Sequence, residues 1–369
     1  MDIVDYFDKP AKVDLDNPYT PESEMFVSKL VSENYNVALI GVDSEVGSVN
    51  KGCDVAPDEI RKHLYALRGG LKDLRIADLG NLKKGEKSSD TYYALRDVVS
   101  ELVSNAIIPI IIGGSQDLSL SVFEGLKDHS SELNMVVVDS RVDVGLGEVP
   151  FGSNSYLNKI LEDEVLFRLD LLGYQTYLCS NTQLSELVKR NHWGTRLGIL
   201  RANPEKTEPI FRDSDFVSVD MAVVRQSDAP GNAHPLPNGL FGEELCQLAR
   251  YAGFSDRISA FGIFETNPFF DNNGQTSELA AEVIWHFLEA LDNRYGDYPK
   301  RELSNYTKYV VPDMDGDEEM VFYNNNLNNR WWIEIPTSKG KCVFSCTYQD
   351  YRLAKENQIP DIWMMYYMK

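Results

Sequence analysis

Acidic and amide side chains follow four apolar runs of the sequence, at the points where buried strands would end. Asp139 and Asp143 follow one run, Asp220 a second, Gln116 a third and Glu265 a fourth. The carboxyl ends of parallel strands meet at one edge of an α/β sheet, which is where metal and acid/base chemistry is usually placed. We therefore expect these side chains to form one site built from carboxylate and amide oxygens.

The elements that must position these residues alternate between short apolar runs and longer amphipathic stretches. Several apolar runs lack alternation and are bounded by Gly or Asp, which is typical of strands buried on both faces of a parallel sheet. The predicted strands are Val37–Gly41, Leu74–Asp78, Ile107–Ile112, Met135–Asp139, Leu169–Leu172, Leu197–Leu200, Phe216–Val219 and Ile258–Phe264. The predicted helices include Ser89–Ser104, Glu243–Ala252 and Thr276–Leu291. This alternation predicts an α/β fold, a three-layer sandwich with a mainly parallel sheet.

Composition divides the chain into three regions. Residues 1–35 are polar and are expected to form a lead-in, and residues 36–303 hold the α/β pattern. Residues 304–369 are rich in Tyr, Trp and Asn and are interpreted as a small C-terminal α+β extension. Its predicted elements are three strands, a helix and an aromatic end: Val321–Tyr323, Trp331–Ile335, Cys342–Cys346, Gln349–Asn357 and Trp363–Tyr367. So much aromatic area suggests that the extension packs on the main domain or on a partner subunit.

The bulk composition argues against several classes of function. The 369-residue chain has 57 acidic and 36 basic residues and a formal net charge of −21. A surface this negative repels nucleic-acid phosphates and anionic membranes, so neither is expected as a partner. The five cysteines lack Cys-x-x-Cys spacing, which favours free thiols in a reducing compartment. Because the sequence also lacks a membrane-length apolar run and signal-peptide features, we expect a soluble, cytoplasmic protein.

The four acidic segments, in this order, resemble the ureohydrolase superfamily of arginase, agmatinase and formimidoylglutamase. That family binds two manganese ions through Gly-Gly-Asp-His, Asp-Ala-His-x-Asp and Ser-x-Asp-x-Asp motifs, and a glutamate holds the guanidinium or amidine group of the substrate. The corresponding segments here are Gly113–Asp117, Asp139–Asp143, Ser218–Leu240 and Glu265. Residues Asn267–Phe287 are closest to the formimidoylglutamase branch. The resemblance covers roughly residues 35–292 and implies an arginase-like fold.

The metal ligands implied by the resemblance are only partly present. Three of the family's six ligand positions hold aspartates here: Asp139, Asp143 and Asp220. The other three hold residues of other types: Gln116, Arg141 and Ala222. Arg141 stays protonated and cannot coordinate, so we interpret it as replacing one metal through charge-assisted bonds to Asp139 and Asp220. The remaining all-oxygen set suits at most one divalent cation, Mn²⁺, Mg²⁺ or Ca²⁺. The alternative is an empty site in which the aspartates and Arg141 form a charge network.

Two functions are compatible with this reading. The first is a ureohydrolase homologue with impaired hydrolysis, which acts as a binding or structural protein. The second is a formimidoylglutamase-like hydrolase of linear amidine C–N bonds that uses one metal ion. Glu265 occupies the family's substrate-binding position, so a small amidine or amino-group ligand is expected in both cases. Asp143 and His234 are the other candidate catalytic residues, and His234 could serve as an acid/base group near neutral pH. The resemblance also implies a homo-oligomer.

Overall fold

Two β-sheets organise the chain in the computed structural model, which describes residues 3–13, 15, 17–299, 304–312, 319–338 and 340–367. The strands of the larger sheet are β1 (Phe7–Asp8), β2 (Val37–Val42), β3 (Ile76–Leu82), β4 (Ile108–Gly113), β5 (Leu133–Val138), β6 (Leu166–Tyr174), β7 (Trp193–Arg196), β8 (Phe216–Asp220) and β9 (Ala260–Phe264). The strands of the smaller sheet are β10 (Tyr306–Pro312), β11 (Glu319–Asn325), β12 (Trp331–Thr337) and β13 (Gly340–Cys346).

The larger sheet brings together strands that are far apart in the sequence. Its spatial order is β1-β3-β2-β4-β9-β8-β5-β6-β7. The pairs from β3 to β7 are parallel, and only the two-residue β1 at the edge is antiparallel to its neighbour. Strands β4, β9, β8 and β5 are consecutive neighbours in the middle of the sheet. Their carboxyl ends, which carry the acidic segments, therefore lie side by side.

Helices cover both faces of this sheet. They are α1 (Ala56–Ala66), α2 (Ser88–Ser104), α3 (Ser119–Lys127), α4 (Leu157–Leu161), α5 (Asn181–Lys189), α6 (Leu197–Ala202), α7 (Glu208–Arg212), α8 (Gly242–Gly253) and α9 (Gln275–Asp292). In β2, Val37 and Leu39 pack into one buried cluster with α1, α8 and α9. The intervening Ala38 and Ile40 pack into a second cluster with α2 and α3, because successive side chains point to opposite faces. The predicted three-layer α/β fold is confirmed, and none of the described helices has the length and apolarity of a membrane span.

The C-terminal extension is a separate antiparallel meander in the order β10-β11-β12-β13. Two further helices, α10 (Tyr348–Lys355) and α11 (Asp361–Tyr367), cover it. Phe167, at the start of β6, stacks against Phe344 and Tyr366 of the extension at ring distances of 6.2 and 5.8 Å. The extension thus contacts the amino ends of the main strands, opposite to the acidic segments. Its boundary at residue 303 stays a prediction, because residues 300–303 lie outside the described part of the chain.

Buried charged groups fix the extension to the main sheet. The guanidinium of Arg212 lies 4.5 Å from the ring centroid of Trp332 and donates to the carbonyls of Trp331 and Cys346 at 3.2 Å each. The carboxylate of Asp213 accepts hydrogen bonds from the backbone N–H and the hydroxyl of Ser345. Because these polar groups are buried, their mutual hydrogen bonds are needed to offset the loss of water.

The secondary structure differs from the prediction at two places. Leu197–Leu200 is not a strand but the first part of α6, and the strand β7 precedes it. Leu197 and Leu200 are buried whereas Gly198 and Ile199 are exposed, which is the three-residue spacing of one helix face. A run of only four residues is too short for its sequence to distinguish this pattern from a buried strand. Strand β10 was not predicted, because as an edge strand it is half-exposed and ends in Pro312.

The ion pair of Arg168 provides a test of this attachment. Arg168 is buried, donates to Asp170 at 2.8 Å and also donates to the hydroxyl of Tyr366 in α11. We expect Arg168→Ala to lower the free energy of unfolding by about 3–5 kcal/mol, because it removes the buried cation from a buried ion pair. The matched control Arg96→Ala breaks a solvent-exposed pair with Asp97 and should cost about 0–1 kcal/mol. Equal losses in urea unfolding would contradict the buried role of Arg168.

Candidate functional site

The loops that follow four neighbouring strands converge on one cavity. Gln116 follows β4, Glu265 follows β9, Asp220 ends β8 and Asp139 follows β5. The cavity has a volume of about 280 Å³, and the candidate residues on its wall are Arg141, Asp143, Asp220, Ala222, His234 and Glu265. Gln116 and Asp139 are fully buried beneath that wall. The structure therefore brings the residues singled out in the sequence to one edge of the sheet.

Asp139 and Asp143 form a tightly coupled pair at the end of β5. Both carboxyl groups are buried, and a hydrogen bond joins them. Burial raises the pKa of Asp139, and burial together with the charge of Asp139 raises the pKa of Asp143 well above its usual range. Two carboxylates in contact and out of water cannot both stay ionised at low cost. Without a cation, burial therefore favours the protonated over the doubly ionised form of the pair.

Asp220 completes the acidic cluster from the end of β8. Burial, followed by the charges of Asp139 and Glu265, raises the pKa of Asp220 well above its usual range. Its Oδ1 accepts a hydrogen bond from the backbone N–H of Ala222 at 2.6 Å. The side chain of Ala222 is a buried methyl group, so this position supplies no ligand atom to the cavity.

Arg141 places a guanidinium on the wall of the cavity, but not in the predicted contacts. Its backbone N–H donates to Asp139 Oδ1 at 3.0 Å, whereas its Nη1 has only a 3.5 Å contact with Ser140 Oγ. Arg141 takes part in none of the ion pairs within 4.0 Å among the described residues. The predicted charge-assisted bonds from the Arg141 guanidinium to Asp139 and Asp220 are therefore wrong; a backbone N–H donates to one oxygen of each carboxylate instead. At longer range, the guanidinium still opposes the rise in pKa that burial imposes on the three aspartates.

Gln116 provides the observation that tests whether a cation fits. Its side chain is completely buried, its Nε2 donates weakly to Ser218 at 3.3 Å, and its Oε1 has no hydrogen-bond partner. An orphaned amide oxygen, like a carboxylate oxygen, is a donor that suits a hard divalent cation. However, no three His, Cys, Asp or Glu side chains in the described ranges are already arranged as a metal cluster. A cation would compete with the protonated forms that burial favours at Asp139 and Asp143.

Glu265 sits in a strained and closely held position after β9. Its backbone has a φ of 63°, a left-handed conformation that is costly for a residue with a side chain. Its Oε2 accepts from the hydroxyl of Ser48 at 2.7 Å, and its Oε1 accepts from the backbone N–H of Gln116 at 2.9 Å. The amides of Asn50 and Asn232 hold its backbone carbonyl. Burial raises the pKa of Glu265 to about 7.

His234 lies at the mouth of the same cavity as Glu265. It is exposed, and its backbone N–H donates to Asn232 Oδ1 at 2.8 Å. This agrees with the expected proximity to Glu265 and leaves the imidazole accessible to a ligand. A catalytic role for His234 stays a prediction.

Sequence reasoning missed the residues that hold the site from outside the acidic segments. Ser48 and Asn50 lie in the loop after β2, and no motif in that loop distinguishes them. Tyr156 is fully buried beside the aspartates; burial and their charges raise the pKa of Tyr156 well above its usual range. The only sequence feature that could have indicated Ser48 and Asn50 was their place in a polar loop after a strand of the same sheet. No sequence feature indicated Tyr156.

Solved structures share this fold. A formiminoglutamase from Trypanosoma cruzi, crystallised with Mn²⁺, aligns with a TM-score of 0.68 and 20% identity over 73% of this chain and 99% of that chain. The formimidoylglutamase from Bacillus subtilis aligns with a TM-score of 0.69 and 22% identity over 78% of this chain and 97% of that chain. The likeness to these structures shows that the chain has the same class of α/β fold.

Sequence comparison assigns the family within that class. The model of the arginase family matches residues 35–289, and the chain belongs to this family. The formimidoylglutamase of Halobacterium salinarum is 29% identical over 291 residues, which cover 73% of this chain and 90% of the relative. The formimidoylglutamase of Bacillus subtilis is 26% identical over 282 residues, or 69% of this chain and 86% of the relative. The predicted resemblance to the formimidoylglutamase-like branch is confirmed.

Titration of Glu265 leads to a prediction about stability. Between the ordinary value of 4.5 and about 7, the native carboxyl binds a proton that the unfolded chain has lost. Stability therefore falls as pH rises through this window, by about 1.4 kcal/mol per pH unit for this one group. We expect Glu265→Gln to remove this pH-dependent loss of stability. The stability of the variant relative to the wild type should therefore increase from pH 5 to pH 8, measured by urea unfolding of chelator-treated protein.

The control for this prediction is Glu243→Gln, which alters an exposed glutamate on α8. If the relative stability of both variants had the same pH dependence, a general charge effect would explain the result and the burial argument would be wrong.

Proposed function

We propose that this chain is a ureohydrolase homologue that binds a small amidine or amino-group ligand and is impaired in hydrolysis. The observation that carries the proposal is the presence of Arg141 and Ala222 on the cavity wall, where the family resemblance implies metal ligands. A guanidinium cannot coordinate a metal, and a methyl group has no donor atom. Glu265 supports the binding role, since it is held rigidly on the same wall.

Charge supports a limit of one divalent cation. Three aspartates and one guanidinium leave two negative charges in excess, which one divalent ion neutralises. A second ion would make the cluster positive and would be repelled by Arg141. Gln116, Asp139, Asp143 and Asp220 are the residues that would hold the single ion. A metal pair in hydrolases of this type supplies an activated water, and that chemistry is weakened or lost with one ion.

The second candidate is a formimidoylglutamase-like hydrolase that works with one cation. The orphaned Oε1 of Gln116 is compatible with it, because a bound ion would satisfy this buried atom. In that case Glu265 would orient the amidine group, and Asp143 or His234 would move the proton. The two candidates share the ligand class and differ only in turnover.

Metal analysis and a turnover assay test the proposal together. Protein purified without chelator should contain at most one Mn²⁺, Mg²⁺ or Ca²⁺ per chain. With added Mn²⁺ it should release no ammonia, formamide or urea at enzymatic rates from formimidoylglutamate, arginine or agmatine. Turnover with one ion would select the second candidate. Two tightly held Mn²⁺ ions with rapid turnover would contradict both.

A substitution of Arg141 tests its effect on the cation directly. We expect Arg141→Met to tighten Mn²⁺ binding by roughly 10- to 100-fold, because it removes a fixed positive charge close to the carboxylates. Titration calorimetry is the measurement, and Arg96→Met is the matched control that changes the net charge on an exposed helix face. Equal effects in the two variants would mean that Arg141 does not act locally.

Restoring the lost ligands provides a third test. The triple variant Gln116→His, Arg141→His and Ala222→Asp should bind two Mn²⁺ ions per chain if only the ligands were lost. The control is Ala222→Asp alone, which adds a carboxylate but keeps the guanidinium and should not bind the second ion. Failure of a folded triple variant to bind two ions would show that the surrounding loops also changed.

A further inference from the structure

A second, smaller pocket lies between the main domain and the C-terminal extension, and we call it the interface pocket. The main domain contributes Asn134, Asp213 and Arg257 to its wall, and the later part of the chain contributes Tyr298 and Cys342. Its volume is about 130 Å³, well above the roughly 10–15 Å³ that one buried water requires. The arginase family model matches only residues 35–289, so part of this wall lies outside the region shared with the family.

Asn134 offers the interface pocket a hydrogen-bond acceptor that lacks a donor. Its side chain is buried, and its Oδ1 has no hydrogen-bond partner among the described residues. Its Nδ2 donates to the backbone carbonyl of Asp213 at 2.9 Å, which fixes the orientation of the amide, because a flipped amide would place oxygen against oxygen. A buried acceptor of this kind costs free energy until a donor satisfies it.

Two further acceptors lie on the same wall. The hydroxyl of Tyr298 donates to the carbonyl of Val343 at 3.0 Å, so its oxygen is left to accept. The carboxylate of Asp213 accepts two hydrogen bonds from the extension and has sites for further donors. Burial and the charge of Asp213 raise the pKa of Tyr298, and Arg257 opposes the rise, so these groups are close to one another. The acceptors suit an ammonium group, which carries three donors and no acceptor.

Arg257 adds a positive charge beside these acceptors. Its Nη2 donates to Asp215 at 3.1 Å, and its side chain is 39% exposed. A guanidinium carries several N–H donors, so donors remain for the carboxylate of a ligand. Arg257 would repel a purely cationic ligand, whereas Glu132 and Asp213, which also line the pocket, would repel a purely anionic one. The wall therefore fits a small molecule that carries both charges.

We propose that the interface pocket binds a small free α-amino acid, whose ammonium faces Asn134 and Tyr298 and whose carboxylate faces Arg257. Phe167 and Phe344, which stack at 6.2 Å, provide an apolar part of the wall for its side chain. Because the wall comes from both parts of the chain, the bound amino acid would fasten the extension to the main domain.

This site is separate from the acidic cavity. Asn134 lies near the start of β5, whereas Asp139 follows the end of that strand. The two sites are therefore at opposite edges of the main sheet, and the proposal does not depend on whether the acidic cavity hydrolyses a substrate.

Titration calorimetry on the full chain tests the proposal with L-alanine as the probe. L-Alanine should bind at least about tenfold more tightly than ethylamine, which lacks the carboxylate, and than propionate, which lacks the ammonium. Each of these analogues loses the charge-assisted hydrogen bonds of one end of the ligand.

Protection of thiols from N-ethylmaleimide locates the bound probe. Cys342 is a half-buried free thiol on the wall of the interface pocket, and Cys179 is a half-buried free thiol next to Leu178 on the wall of the acidic cavity. At a concentration of about ten times its Kd, L-alanine should slow alkylation of Cys342 by about tenfold, because only the unoccupied pocket admits the reagent. The rate at Cys179, followed in the same sample by peptide mass spectrometry, should not change.

Two disruptions of the pocket should abolish or weaken binding. Arg257→Gln should weaken L-alanine by at least about tenfold, whereas the matched control Arg352→Gln, on an exposed part of α10, should leave its affinity unchanged. Because Arg257→Gln also removes the partner of Asp215, alkylation provides a second disruption that leaves this ion pair in place. Protein alkylated at Cys342 should no longer bind L-alanine, and Cys342→Ser protein treated in the same way should still bind it.

Three outcomes would overturn the proposal. Absence of L-alanine binding up to millimolar concentrations would mean that the pocket holds only water. Equal affinity for L-alanine and ethylamine would show that Arg257 takes no part in recognition. Protection of Cys179 instead of Cys342 would place the amino acid in the acidic cavity.

Discussion

Burial of like charges at one edge of the sheet is the constraint on which the rest of this site depends. Asp139, Asp143, Asp220 and Glu265 are all shielded from water. Each loses hydration on folding, and their mutual repulsion adds to that cost. The protein offsets the cost through backbone N–H donors, a hydrogen bond between Asp139 and Asp143 and the nearby charge of Arg141. Under the proposed function, these groups take over part of the role that metal ions have in the family.

The packing of the main sheet keeps these charged residues together. Strands β4, β9, β8 and β5 bury hydrophobic side chains on both faces, so the apolar burial of the core outweighs the local cost at their ends. The same packing holds Glu265 in its left-handed conformation. Strain of this kind persists only where the surroundings determine the backbone, and it is concentrated at functional sites. Retention of this strained glutamate supports a binding role independently of the metal ligands.

None of the described residues of the C-terminal extension lines the acidic cavity. Its contacts with Phe167, Arg212 and Asp213 lie at the amino ends of the main strands. Much of its aromatic area is covered within the chain itself, for example by the 4.9 Å stacking of Trp331 on Tyr351. Covering this area therefore does not require a partner subunit.

The sequence by itself determined the fold class and most of the candidate residues. Strands buried on both faces are continuous apolar runs, and residues at their carboxyl ends are chemically distinctive, so both can be recognised locally. Leu197–Leu200 was misassigned because a run of four residues does not reveal its period.

Only the tertiary structure decided which strands are neighbours, which oxygen each N–H contacts and where the guanidinium of Arg141 lies. It also placed Ser48, Asn50 and Tyr156 at the site. The physical reason is that pairing order and side-chain contacts depend on the packing of distant segments. An ion pair, such as the one expected for Arg141, forms only where the packed backbone brings the two charged groups within reach of each other.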